Sequence, residues 1–182
     1  LIVANPRNRG ATLLAKRLEP LASPNPNLIV VLGGDGTMLH AIRRHWTKRL
    51  PFLGLNRGHR GFLLNTVRRK PTAAFFRQPF ITRTLPLLRV EVTTPQGNKR
   101  QTFAVNDAYL LAEAGKTGWF SVSVNSRHHT ADVVGDGLLV ATAAGSTAYA
   151  HAMGAKPMPI GTPRLILIGS NIAHPVTWRR AR

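Results

Sequence analysis

Over its first half the chain alternates short, uninterrupted apolar runs with amphipathic stretches. Leu1-Ile2-Val3-Ala4 reads as a buried strand, and the turn formers Asn5-Pro6-Arg7-Asn8-Arg9-Gly10 stop it. Leu13, Leu14, Arg17, Leu18 and Leu21 give an amphipathic helical period, which Ser23-Pro24-Asn25-Pro26 ends before a second apolar run from Leu28 to Leu32. A second helix is expected from Thr37 to about His45 or Trp46, and a third strand over Pro51 to Leu55. Strands that are apolar throughout, instead of alternating, belong to a parallel sheet covered on both faces.

The texture changes after about Leu85. Leu87 to Thr94, Thr102 to Leu111, Phe120 to Val124 and Leu138 to Thr142 are short, rich in Val, Leu and Thr, and separated by turns such as Pro95-Gln96-Gly97-Asn98. These read as β-strands of a sandwich or sheet. The predicted organisation is an α/β domain with a parallel sheet over residues 1–85 and a mainly β domain over 86–182, with the boundary between Ile81 and Pro86. No internal repeat and no long linker is visible.

Composition narrows the classes. The chain has 182 residues, 43% of them hydrophobic, which is enough apolar material for a buried core. Cysteine is absent, so a disulfide scaffold, a thiol nucleophile and a thiolate metal site are excluded. Pro, Arg or Gly interrupts every apolar stretch before it reaches the roughly 18 to 20 residues of a membrane-spanning helix. Leu1 to Ala4 is shorter than a secretory h-region and no basic stretch precedes it, so residence in the cytoplasm is expected. The chain opens at Leu1 in a strand-like run, an opening that fits a missing N-terminal portion.

Charge is the least balanced property. Lys and Arg number 25 against 7 Asp and Glu, a formal charge of +18, and 19 of the 25 are arginine. Such a surplus favours anionic partners, whether nucleic acid, a membrane surface or phosphate-bearing small molecules. No recognised nucleic-acid reader motif is present and aromatic residues make up only 7%, so nucleic acid is not an expected partner, and no membrane partner is expected. Arg43, Arg44, Lys48 and Arg49 make a basic helical stretch that reads as a solvated face or as attraction for phosphate. The adjacent His128-His129 pair on a strand or hairpin would point to opposite faces, and His40, His45 and His151 have no carboxylate cluster beside them. No zinc site is expected.

The scarcity of acids makes their positions informative. Asp35 lies in Gly33-Gly34-Asp35-Gly36-Thr37, directly after a buried strand and before a helix, where open α/β sheets place ligands. Glycines let backbone amides approach a phosphate, and the helix start adds partial positive charge. An aspartate there would repel the phosphate unless it serves as a base, as an acceptor for a sugar hydroxyl or as a route to a divalent cation. The structural alternative is a glycine turn with Asp35 as helix N-cap. Asn106-Asp107 reads either as a ligand-holding pair or as a turn, and Gly145 to Tyr149 as a helix start with Ser146 or Thr147 as N-cap. Tyr149 could alternatively be core.

Gly33 to Thr37 resembles the signature turn shared by NAD kinases, diacylglycerol and sphingosine kinases and, more loosely, phosphofructokinases. Gly54 to Leu63 is similar to the second NAD kinase motif. Asn106-Asp107 resembles that family's Asn-Glu or Asn-Asp pair, and Asp136-Gly137 through Gly145-Ser146-Thr147-Ala148-Tyr149 its later block. The resemblance implies a two-domain NAD kinase fold, and ATP or polyphosphate as phosphate donor with a divalent cation, Mg²⁺. In this light Asp35 would take the proton of the adenosine ribose 2′-hydroxyl of NAD, with Gly33, Gly34, Gly36 and Thr37 facing phosphate. Phe62 would line the adenine pocket, Asn106 and Asp107 would hold the nucleotide, Asp136 its second half, and Gly145, Ser146, Thr147, Ala148 and Tyr149 the bases and ribose. Arg179, five residues after His174, would be a phosphate ligand.

Four departures qualify the resemblance. Arg60 stands where Leu is common, Ala143-Ala144 where Pro precedes Thr or Ser, and Gly154-Ala155 where Gly-Gly is usual. The chain is also shorter than the family's catalytic chains. A shortened sandwich exposes strand edges, so a homo-oligomer is expected. The alternative function is a nucleotide-binding paralogue with little turnover.

Overall fold

The computed structural model describes residues 1–59, 61–125 and 131–175. The chain folds as two compact units, Leu1–Thr82 and Arg83–Arg182.

In the first unit, β1 (Ile2–Ala4), β2 (Ile29–Gly33) and β3 (Phe52–Asn56) form a parallel sheet in the order β1-β2-β3. Every residue of β2 is buried, as a doubly covered strand requires, while β1 is half-buried and β3 is buried at its centre. Two helices cover the sheet. Helix α1 (Arg9–Leu18) packs Ala11, Leu14 and Leu18 against Val30, Leu32, Leu53 and Leu55. Helix α2 (Asp35–His45) packs Met38 and Ala41 with Ile29 and Val31 on the other face. Alternate residues of β2 therefore serve alternate faces, and each fully buried Leu or Ile stabilises the unit by roughly 1.5–3 kcal/mol. A short helix α3 (Ala73–Arg77) adds Phe75 and Phe76 beside the α1 layer.

Helix α1 starts where the turn chemistry predicts. Asn8 is its N-cap, with the side-chain oxygen accepting the Ala11 N–H at 2.9 Å, while the side-chain nitrogen donates to the Arg57 carbonyl at 2.8 Å. One side chain thus starts a helix and fixes the loop that leaves β3.

The second unit is antiparallel. Strands β6 (Asp107–Leu111), β9 (Gly137–Ala141) and β10 (Ile166–Ser170) form a sheet with β9 in the centre. Strands β4 (Leu88–Thr93) and β5 (Lys99–Ala104) form one hairpin, and β7 (Gly118–Val122) pairs with β8 (Ala131–Gly135). Leu139, Ala141, Ile166 and Ile168 pack with Ala150 and Ala155 from the α4 (Tyr149–Ala152) region. Strand β6 is an edge among the described residues, and Tyr109, Leu110 and Leu111 are exposed on it.

Two strand expectations need correction. Thr102 to Leu111 is not one strand: the ladder breaks at Val105-Asn106, and its halves join different sheets. The Val and Leu content on both sides hid a break made by polar contacts of Asn106. Strands β8 and β10 were not foreseen.

Candidate functional site

Loops leaving all three parallel strands meet at one end of the first sheet. The Arg57 N–H donates to the Gly33 carbonyl at 2.7 Å, and Gly58 N–H to the Asn56 side chain at 2.8 Å, so the β2 and β3 exits are tied together. With Asn8 holding the Arg57 carbonyl, the β1 exit joins them.

The glycine turn sorts its glycines by purpose. A Cβ on Gly33 would sit 2.3 Å from the Thr37 hydroxyl oxygen, so the fold itself excludes a side chain there. Gly34 and Gly36 have nothing within 4 Å of the position a Cβ would take, and neither has a positive φ. The protein's own packing does not require glycine at these two positions. Both line an open cleft of about 860 Å³ together with Asn5, Arg7, Asn8, Thr37 and Gly58.

Helix α2 turns one stripe toward this cleft: Thr37, His40, Ala41 and Arg44 recur at helical spacing and all line it. Lining cations are Arg7 and Arg44, and among the described residues no carboxylate contributes to the walls. Neither guanidinium has a salt-bridge partner among the described residues. Arg44, read from the sequence as part of a basic face, therefore has a specific place. Arg7 and His40 were missed because a turn arginine and a helical histidine carry no signal of their own.

Asp35 is the first residue of α2 and not its cap; Gly34 occupies the cap position. Its two carboxylate oxygens each accept a backbone N–H, Oδ2 from Phe62 and Oδ1 from Leu63, both at 2.9 Å. The carboxylate thereby joins the glycine turn to the second motif, 27 residues on. Each oxygen keeps a further lone pair for another donor. Phe62 is 57% exposed, its ring free to meet a ligand.

In the second unit, Asn106, Asp107 and the Gly145 turn are brought together. Gly145 packs so closely that a Cβ would lie 2.1 Å from the Asn106 carbonyl oxygen. Asp107 is opposite Ala141 in the β6–β9 register, one residue before Thr142. The Asn106 side-chain oxygen is buried and has no hydrogen-bond partner among the described residues. A buried acceptor left without a partner is costly. Burial pushes the Asp107 carboxyl above its ordinary value by desolvation.

The Gly145 to Tyr149 segment is a 3₁₀ turn over Gly145–Thr147 followed by α4, and the cap positions, Ala144 and Ala148, make no side-chain cap bond. The N-cap reading of Ser146 or Thr147 is corrected. Ser146 is buried instead, its hydroxyl donating to the Ala143 carbonyl at 2.7 Å and accepting the Met158 N–H at 2.8 Å. Tyr149 is 71% exposed, which removes the core alternative. Ala144 and Ala155, two departures from the family pattern, are both buried and present no side chain to solvent. Asp136, the single residue between β8 and β9, accepts from the Asn171 side chain at 2.6 Å. Arg179, Arg60 and the His128-His129 pair lie outside the described residues.

Among the described residues no group of three or more His, Asp or Glu could hold a metal ion, and no helix is long and apolar enough to cross a membrane.

Comparison with known proteins converges on one family. A family model described as the ATP-NAD kinase N-terminal domain matches residues 14–84. The NAD kinase of Xanthomonas campestris pv. campestris (strain 8004) is 32% identical over 182 residues, covering 98% of this chain and 69% of the relative. That of Rickettsia prowazekii (strain Madrid E) is 32% identical over 154 residues, 85% of this chain and 60% of the relative. Yeast NADH kinase, solved in complex with NADH, matches with a TM-score of 0.70 at 25% identity, over 82% of this chain and 45% of the yeast chain. An NAD kinase from Archaeoglobus fulgidus, solved in complex with ATP, shares the fold with a TM-score of 0.57 at 21% identity, over 94% of this chain and 72% of its own.

Proposed function

Because the chain belongs to the NAD kinase family, we propose that it transfers a phosphoryl group from ATP or polyphosphate to the adenosine ribose 2′-hydroxyl of NAD, giving NADP. One observation carries this reading: Gly34 and Gly36 are bare where packing does not demand it, next to Asp35 in the chain and on the wall of a cleft that also carries Arg7 and Arg44. Glycine without a structural reason is explained by a ligand that comes close to the backbone.

Phosphoryl transfer asks for positioning, neutralised charge and an activated hydroxyl. Arg7 and Arg44 would hold the donor's phosphates in the cleft, with the backbone amides of the turn and the first turn of α2 adding partial positive charge. Asp35 would receive the proton from the ribose hydroxyl as its oxygen attacks the terminal phosphorus. The bonds from Phe62 and Leu63 hold that carboxylate in one orientation.

Residues 86–182 would supply NAD binding. Asn106 offers an unused acceptor, Asp107 accepts hydroxyl donors, and the exposed Tyr149 offers a ring face to a base or ribose. Thr147 and Ala148, both half-buried, and the Gly145 backbone complete this surface, while the buried Ser146 hydroxyl would act by shaping the turn. Asp136 and Arg179 keep the roles the family resemblance implies, toward the second nucleotide half and phosphate.

A divalent cation, Mg²⁺, belongs to the same reading; it would be held chiefly by the donor's phosphates and water, with no cage of His, Asp or Glu among the described residues. Bound so, it would neutralise charge on the transferring group. Residence in the cytoplasm and assembly as a homo-oligomer belong to the same reading, with Tyr109, Leu110 and Leu111 as apolar surface for association. Neither a membrane nor nucleic acid is a partner in it.

The test is NADP formation with ATP and Mg²⁺, then with polyphosphate, beside an Asp35→Asn control. Loss of a general base lowers turnover by about 10²- to 10⁴-fold. Product from the wild type, with turnover lost in the control and NAD still bound, supports the proposal. NAD binding without product would make the chain a binding paralogue, and full activity in Asp35→Asn would remove the base assignment.

A further inference from the structure

Thr142 lies within the Asp136–Tyr149 block but is given no role by the family resemblance, yet it is 1% exposed and one of only two buried polar residues in the described core. Its three polar contacts all reach the nucleotide-holding segments. The hydroxyl donates to the Val105 carbonyl at 2.6 Å and accepts the Gly145 N–H at 3.2 Å, while its own N–H donates to the Asn106 carbonyl at 2.8 Å. A single residue thus fastens the segment entering Asn106-Asp107 and the first residue of the Gly145 turn.

We propose that Thr142 is a positioning residue for NAD: its hydroxyl ties the Val105 carbonyl, in the peptide that leads into Asn106, to the Gly145 N–H, and so sets the placement of the Asn106 side chain and the Asp107 carboxylate. The inference rests on the reading of these two side chains as nucleotide-binding groups. The ladder alone does not give this control. β6 and β9 remain paired from Asp107 to Leu111 whatever Thr142 does, whereas Val105 and Asn106 lie beyond the last rung. There the backbone has no strand neighbour to hold it, and the contacts of Thr142 and the close approach of Gly145 take that place. The strand break that separates β5 from β6 is the feature Thr142 stabilises.

Valine is nearly isosteric with threonine but has no hydroxyl, so it leaves the Val105 carbonyl and the Gly145 N–H without their partner. Serine keeps the hydroxyl and loses only a methyl group. In the full chain, Thr142→Val is expected to raise the Kd and KM for NAD by about tenfold, with a much smaller change in kcat, because the chemistry belongs to the first unit. Thr142→Ser should stay within about twofold of wild type. NAD binding by calorimetry and steady-state kinetics read both quantities, and thermal unfolding monitors stability separately. If Thr142→Val is insoluble, Thr142→Ala against Thr142→Ser poses the same question. The proposal is overturned if the variant without the hydroxyl loses thermal stability but keeps wild-type NAD affinity, or if serine fails to restore affinity. Failure of the wild type to bind NAD would instead overturn the underlying reading, and this proposal with it.

Discussion

The two units meet a polar ligand with different means. In the first, fourteen Lys and Arg stand against two carboxylates, and the candidate site is built from bare backbone, a helix start and guanidinium groups. In the second, eleven stand against five, and the site is built from side chains: an unpaired Asn106 acceptor, a partly buried Asp107 and an exposed Tyr149. Backbone amides and arginines suit phosphate, which is the same on every donor. Amide and carboxylate side chains discriminate among hydroxyls and bases. In the proposed function, generic recognition would thus fall to one unit and selective recognition to the other.

This division can be broken most sharply at Asp35, where the turnover loss expected of Asp35→Asn should leave NAD affinity nearly unchanged. The glycines come next, because they separate fold from function. Gly33→Ala collides with Thr37 and should cost about 1–3 kcal/mol of stability. Gly36→Ala meets nothing and adds a better helix former in the first turn of α2, so it should raise stability by roughly 0.5–1 kcal/mol while lowering turnover. Chemical denaturation beside NADP formation decides it; equal activity in Gly36→Ala would dissociate the bare glycine from the ligand.

Arg44→Ala should act more gently, raising KM for the phosphate donor by about tenfold and flattening its salt dependence without changing affinity for NAD. A rise in KM for NAD instead would merge the two kinds of recognition. The smallest effect belongs to Asp107. Its pKa is raised in the folded protein by burial, so ionisation opposes folding: the penalty is absent below the ordinary value of 3.8 and grows as pH rises through the folded pKa. Asp107→Asn should therefore unfold at a slightly higher temperature than wild type near neutrality, and the difference should close in acid.

The parallel sheet was legible because its evidence is local. Apolar runs of four or five residues, turn formers and helical periods all act within a few positions of where they are read, and Ile29 to Gly33 is buried throughout as such a run requires. Glycine turns and scarce aspartates were equally legible. What escaped was non-local or polar. The Asp35 contacts join residues 27 and 28 positions apart, and the Thr142 hydroxyl reaches back 37 positions to Val105. Periodicity cannot encode such pairings. The contacts at the Val105-Asn106 break escaped for the same reason, since their partners Thr142 and Gly145 lie beyond the end of β9. The hints were the turn reading of Asn106-Asp107 and a solitary hydroxyl in Ala141-Thr142-Ala143-Ala144.

In the proposed reaction the two bonds from Phe62 and Leu63 would give the Asp35 carboxylate a second office, that of a latch. A hydrogen bond to an ionised acceptor is roughly twice as strong as one between neutral groups. When Asp35 takes up a proton it weakens its hold on the Phe62 segment, and when the proton leaves the hold returns. Each turnover would then carry its own mechanical signal, with the loop bearing Phe62 loosened once the substrate proton has been captured and fastened again when the carboxylate is recharged.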